Sequence, residues 1–261
     1  MTNRQQESRL FSKFRTDPEA INSIVLQEWG LVLDSLIKAS QNHTYSAHNP
    51  QTQEKYIVRA THIPDDEISN IKHGRNSVEQ RIADELFFIS YVSKKGLEGV
   101  CTPVTRKLNG TTILSLPSNL YIQFDNLIIC VFNWAKGHSI DFMALKWLTD
   151  EKIVYAQGQW LAVLHSISMD FSTEYYAIAL RIRRWNELHS GVLKGVKISN
   201  EDKFALGARP HTSNVGVIHG DLNVSNFFLR PSDEVGINEQ SSNSIKLSVF
   251  DWDQVQVGIL V

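Results

Sequence analysis

Cysteine is scarce in this chain: Cys101 and Cys130 are the two thiols in 261 residues. Two isolated thiols in or beside apolar segments exclude a disulfide scaffold and a Cys-based zinc site, and they fit a reducing compartment. Metal-spaced histidines are missing as well, since the nine His are scattered and neither His-Glu-x-x-His nor a paired Cys-x-x-Cys occurs. No apolar run approaches the ~18 residues that a membrane span needs. The start, Met1-Thr2-Asn3-Arg4-Gln5-Gln6-Glu7, lacks the apolar core of a signal peptide. The expectation is a soluble, cytoplasmic protein with no membrane partner. An excess of one charge is absent too: 26 Lys and Arg against 28 Asp and Glu leave a formal net charge of -2. Without a basic stripe there is no electrostatic case for nucleic acid. The densest basic patch, Arg181-Ile182-Arg183-Arg184, reads as a solvated helix face.

What is present is enough apolar material for one large domain or two lobes, with 42% of residues hydrophobic. Asp17-Pro18 opens a helix as N-cap and first helical residue, and Gly30 ends it. Leu31 to Ile37 reads as a strand, followed by the polar stretch Lys38 to Tyr45, a turn at Asn49-Pro50 and the strand Tyr56 to Ala60. Ser77-Val78-Glu79-Gln80 has the form of a reciprocal capping box. The helix that it starts carries Ile82, Leu86 and Ile89 on one face, with Glu79 and Glu85 flanking that stripe and Asp84 pointing away. Gly96 and Gly99 close it. Short strands then alternate with turn signals: Val104-Thr105, Thr112 to Leu116, Tyr121 to Phe124 and Leu127 to Phe132, an antiparallel meander. Beyond residue 137 the period changes from two to 3.6. Thr149 or Asp150 caps a helix with Ile153, Gln157, Trp160, Leu161 and Leu164 on one face, and a second, Arg-rich helix runs from about Thr173 to His189. Residues 191–214 look irregular, and Pro231 to Ser244 reads as a flexible surface insertion.

Two apolar runs lead into polar turns. The first is Val217-Ile218-His219-Gly220-Asp221-Leu222-Asn223-Val224-Ser225-Asn226, and the second is Leu247-Ser248-Val249-Phe250-Asp251-Trp252-Asp253. Buried strands with such ends would bring Asp221, Asn226 and Asp251 to one edge of a small sheet. Two carboxylates and an amide oxygen suit a hard cation such as Mg²⁺ and leave one carboxylate to accept a proton.

These motifs resemble the aminoglycoside phosphotransferase and choline kinase-like family, relatives of the protein kinases. His219 to Asn226 matches His-Gly-Asp-x-x-x-x-Asn, Asp251 to Asp253 matches Asp-(Trp/Phe)-(Asp/Glu), and Gly158 to His165 looks like the helix ahead of the family's catalytic loop. The resemblance implies an α+β, protein-kinase-like fold of two lobes: an antiparallel sheet with its helix C, then a mostly helical lobe, here incomplete. Its boundaries would be a nucleotide-binding lobe at 1-132, a hinge at 133-137 and a catalytic lobe at 138-261. It also implies an ATP- and Mg-dependent transfer of the γ-phosphate to a hydroxyl of a small molecule. Asp221 would be the base, His219 a brace, and Asn226 and Asp251 the metal ligands, with Asp253 touching metal through water or capping a turn. Phe132, Asn133 and Trp134 would border the adenine. Arg59 stands where kinases carry Lys, with Glu85 its implied partner, Glu79 the alternative acid and Lys55 the alternative cation. No glycine lies between Gly30 and Gly74, so a Gly-rich loop is excluded. Ser40, Asn42 and Thr44 are instead either phosphate contacts or a plain polar hairpin tip. Relatives continue with further helices after the second motif, so the apolar end from Val255 to Val261 is expected to be exposed. A nucleotide-binding pseudokinase and an inactive fragment of a longer kinase are the alternatives.

Overall fold

In the computed structural model, which describes residues 17–39, 42–64, 77–108, 111–112, 119–141, 143, 145–189, 215–231 and 245–259, local signals place the first elements. Helix α1 (Pro18–Trp29) starts where the Asp17 side chain accepts from the Glu19 N–H at 3.0 Å. It stops where Gly30 turns left-handed at φ 71°. Strands β1 (Val32–Ala39), β2 (Asn42–His48), β3 (Lys55–His62), β6 (Tyr121–Phe124) and β7 (Leu127–Asn133) form a sheet in the order β1-β2-β3-β7-β6. Every pairing in it is antiparallel. β4 (Lys107–Leu108) and β5 (Thr111–Thr112) form a separate two-stranded ribbon. These elements belong to one compact unit, Met1–Ser69 with Thr102–Trp134.

One face of the sheet meets α1. Ile21, Val25 and Trp29 of the helix pack with Tyr45, Ala47, Val58, Ala60, Ile129 and Val131. Each large side chain so buried contributes about 1.5–3 kcal/mol, before the entropy of ordering it is subtracted. Glu28 is buried on the same helix because Arg106 donates to it from Nε and Nη2 at 2.9 and 2.7 Å. The stretch Asn42 to Tyr45, expected to be part of a polar loop, is a strand. Asn42, Thr44 and Ser46 alternate with the buried Tyr45 and Ala47, so the period of two is concealed by polar residues on the face away from α1.

The second unit, Asn70–Cys101 with Ala135–Val261, contains α2 (Val78–Lys94), α3 (Lys146–Thr149), α4 (Glu151–Glu174) and α5 (Tyr176–His189). Its ribbons pair β9 (Phe227–Pro231) with β10 (Ile245–Val249), and β8 (Val215–Ile218) with β11 (Gln256–Ile259). Phe88 of α2 and Phe171 of α4 meet edge to face at 4.9 Å, with Trp252 joining Phe88 at 6.0 Å and Trp160 at 5.8 Å. Among the described residues no helix is long and apolar enough to cross a membrane.

Several expectations change here. Ser77 caps α2 by accepting from Gln80 N at 3.0 Å, but the Gln80 side chain donates forward to Asp84 at 3.0 Å instead of reaching back to accept from the Ser77 N–H. Asp84 does not point away from the core: it is buried and takes a two-pronged bond from Arg181, at 3.0 Å from Nε and 2.6 Å from Nη2. Arg181 is therefore an ion-pair partner joining α5 to α2, not part of a plain solvated face. Asp150 is the N-cap of α4, which runs on to Glu174, so the next helix begins at Tyr176 and not near Thr173. Part of the chain's end has a strand partner. Gln256–Ile259 pairs with Val215–Ile218, and Val255 is buried. Residues 113–118, 190–214 and 232–244, where a strand end, an irregular segment and an insertion are expected, lie outside the described residues.

Candidate active site

Strand β8 delivers His219 to a turn whose Gly220 adopts φ 83°, a conformation that favours glycine. α4 anchors this strand, because the buried Ser168 hydroxyl donates to the Val217 carbonyl. The turn is then closed by its own side chains. Asn223 Nδ2 donates to Asp221 Oδ1 at 2.8 Å, and Asn226 Nδ2 donates to Asp221 Oδ2 at 2.9 Å and to the Asp221 carbonyl at 2.8 Å. Both carboxylate oxygens of Asp221 are thus held by amide groups, while the residue itself stays exposed. A short 3₁₀ turn, Val224–Asn226, is capped by Asn223 through the Ser225 N–H at 2.8 Å and leads into β9.

His219 is almost fully buried, with its ring 4.6 Å from that of Trp252. The Asp221 N–H donates to Nδ1 at 3.4 Å, which leaves the proton on Nε2, 3.0 Å from the Phe250 carbonyl. Burial lowers the imidazole pKa, against the opposing pull of the Phe250 carbonyl and the Asp251 and Asp221 carboxylates. A neutral, doubly bonded ring of this kind braces the turn. Phe250 ties the second motif to the first, because its N–H donates to the Asn226 carbonyl at 3.0 Å. Asp251, the next residue, is left-handed at φ 61° and ψ 60° and half-buried.

Asp221 and Asn226 therefore touch directly, and Asp251 follows a residue bonded to both His219 and Asn226. They do not share one small sheet as expected. β8 and β10 belong to different ribbons, and the turn passes the chain into β9, which pairs with β10. Asp253 lies in the 3₁₀ turn Trp252–Gln254. Among the described residues no group of three or more His, Cys, Asp and Glu is placed to hold a metal ion. The donor set here is of another kind, an amide oxygen beside a carboxylate. With its nitrogen committed to Asp221, the Asn226 amide has its oxygen as an acceptor, which takes the Ser225 hydroxyl at 3.2 Å and keeps a second lone pair of the kind that suits a hard cation.

In the sheet, Arg59 sits on β3, buried, opposite Thr44 of β2 and Cys130 of β7. Asn42 stands opposite Thr61 and accepts from its hydroxyl at 2.8 Å. The Arg59 guanidinium lies 5.1 Å from the centre of the Phe132 ring. Asn42, Thr44, Arg59 and Phe132 thus share the face turned away from α1. Ser40 lies outside the described residues. Asn133 ends β7, its N–H donating to Thr102 O at 3.0 Å and its side chain to Thr102 Oγ1 at 2.7 Å. Lys55 stands 5.6 Å over the Trp134 ring. Glu85 is buried on α2 in the other unit, where Glu79 belongs to the first turn.

No family model matches this chain, and no curated protein matches it. Among solved structures, an ethanolamine kinase from Plasmodium vivax is similar at 13% identity and a TM-score of 0.50, over 99% of this chain and 70% of that one. A likeness at this identity is one of fold: α+β and kinase-like, with an antiparallel five-stranded sheet and several helices.

Proposed function

We propose that this chain is an ATP- and Mg-dependent phosphotransferase that moves the γ-phosphate to a hydroxyl group of a small molecule. The observation that carries the reading is the Asp221–Asn226 pair, two side chains locked on each other and tied through Phe250 to the residue before Asp251. Asp221, oriented by Asn223 and Asn226, would receive the acceptor hydroxyl and take its proton. Asn226 and Asp251 would hold the Mg²⁺, which when bound neutralises charge on the phosphates. His219, neutral and buried, keeps the turn in place and is not the base. Arg59, with Asn42 and Thr44 on the same sheet face, would bind the phosphates that are not transferred, and Phe132 and Trp134 would border the base. Nucleotide binding is assigned to residues 1–132 and phosphate transfer to 138–261. The likeness to an ethanolamine kinase favours a small-molecule acceptor.

The test is ATP consumption by the full chain against a panel of hydroxylated metabolites and aminoglycosides, with ethanolamine and choline included. Turnover with at least one acceptor is expected, and it should fall about 10²- to 10⁴-fold in Asp221→Asn while Mg-ATP binding remains. Turnover that survives this substitution would remove Asp221 from the role of base. Nucleotide-dependent thermal stabilisation with no transfer to any acceptor would instead select a nucleotide-binding pseudokinase.

A further inference from the structure

Resting on the reading of the sheet face as a phosphate site, we infer that Lys38 is a second phosphate-binding cation there, one that reads the terminal phosphate of a nucleoside triphosphate. The argument comes from strand register. Lys38 of β1 stands opposite Thr44, and Thr44 stands opposite Arg59. Cross-strand partners lie on the same face of a sheet, so Lys38, Thr44 and Arg59 form one row away from α1.

That row depends on two irregularities. β1 pairs Leu33 with Ala47, and in continuous register Leu36 would then face Thr44. Register shifts between Leu33 and Ser35, and again between Leu36 and Lys38, put Leu36 opposite Tyr45 and Lys38 opposite Thr44 instead. A bulge gives up ladder pairing and re-aims the side chains beyond it. Here the net result is to replace a leucine with a lysine beside Thr44. Leu36 falls opposite Tyr45, on the other face of the sheet, and Ser35 pairs with Ser46 through their hydroxyls at 2.9 Å.

The row has the composition of an anion site. The Thr44 hydroxyl stands between two cations whose strands are about 10 Å apart, two interstrand spacings. Arg59 is buried and stacked near Phe132, so its guanidinium is fixed. Lys38 is exposed, and its flexible stem lets the ammonium follow a phosphate. One or two phosphates held by Arg59 and Thr44 do not need Lys38, but a third extends toward it. Lys38 therefore separates triphosphate from diphosphate. It is a specificity residue, not a catalytic one.

Isothermal titration of the full chain with Mg-ATP and Mg-ADP tests this. Lys38→Gln is expected to weaken ATP about five- to tenfold, the scale of one charge-assisted contact at a solvated position, and ADP by less than about twofold. Lys38→Arg should restore most of the ATP affinity. Adding Leu36→Lys to Lys38→Gln should not, because residue 36 faces the other side of the sheet. Equal losses for both nucleotides, no loss at all, or rescue by Leu36→Lys would each overturn the inference. A folded, unmutated chain that binds neither nucleotide would overturn the phosphotransferase reading itself, a result distinct from the others. Unchanged melting of each variant confirms that binding is being read.

Discussion

The hydrogen bonds that hold the Asp221 carboxylate close over two and five residues, whereas the row Lys38–Thr44–Arg59 is assembled from three strands and two shifts of register. The turn from His219 to Asn226 is nearly self-sufficient. Its Asp, Asn and Gly each serve the local geometry, so a short stretch of sequence specifies it. The polar face of the sheet has no such local logic. Asn42, Thr44 and Arg59 become neighbours only when β2 and β3 pair, and Lys38 joins them only through irregular pairing of β1. One region is written as a motif and the other as a topology, and substitutions should reveal the difference.

The largest effect is expected at the turn. Asp221→Asn should lower phosphoryl transfer about 10²- to 10⁴-fold in a coupled assay, the usual worth of a positioned proton acceptor. Asn226→Ala should lose activity on a similar scale, with nucleotide binding now weakened as well. If Asn226→Ala leaves turnover intact, the turn is structural only.

Next come the contacts that make even this region partly non-local. Gly99 lies at φ +75°, and a Cβ there would meet Leu247 O at 1.9 Å. Its carbonyl accepts from Val249 at 2.7 Å, on the strand that delivers Asp251. Gly99→Ala should cost about 3 kcal/mol in urea unfolding, because backbone faces backbone and nothing flexible can yield. Arg181→Met takes the counter-charge from the buried Asp84 carboxylate and leaves it the Gln80 amide, a loss of about 2 kcal/mol. The usual 3–5 kcal/mol for a broken buried pair is reduced here because the Arg181 side chain is 34% exposed. Asp84→Asn together with Arg181→Met should recover part of that loss, and strict additivity would show that the two helices are not coupled there.

Asp251 allows a finer test. Its left-handed backbone is a strain that glycine lacks, so Asp251→Gly should raise stability by about 1 kcal/mol while abolishing Mg-dependent turnover. A destabilised variant would mean that the carboxylate's contacts outweigh the strain. The smallest effect concerns the thiols, one in each region. Burial pushes the Cys101 thiol up to about 12, and Cys130 lies beside Arg59 on β7 with no exposure. Neither should react with a disulfide reagent at pH 8 until denaturant is added. Fast labelling of Cys130 alone would show that the sheet opens more readily than the other unit.

Much of the fold was legible because caps and turns are local. Asp17, Pro18 and Gly30 bound α1, Ser77 starts α2, and Asp150 starts α4. The candidate turn was legible for the same reason, down to the brace formed by His219. Other features were hidden by long-range pairing. Asp84 looked solvent-facing because its partner Arg181 is 97 residues away. The burial of Glu28 depends on Arg106, which lies 78 residues further on. The alternation in β2 was masked by polar residues on its second face, and the apolar end looked unprotected because its partner strand is Val215–Ile218.

The sequence by itself determined where the main helices begin, several of the strands (β2 and β11 not among them) and the His-Gly-Asp turn with its Asn. These rest on backbone hydrogen bonds that residues a few positions apart can satisfy. Tertiary structure alone decided which charges are buried in pairs, which ribbon each motif strand joins and which lysine stands beside Thr44. Those outcomes depend on registers and contacts between distant segments, where a shift of one residue exchanges one face of a strand for the other.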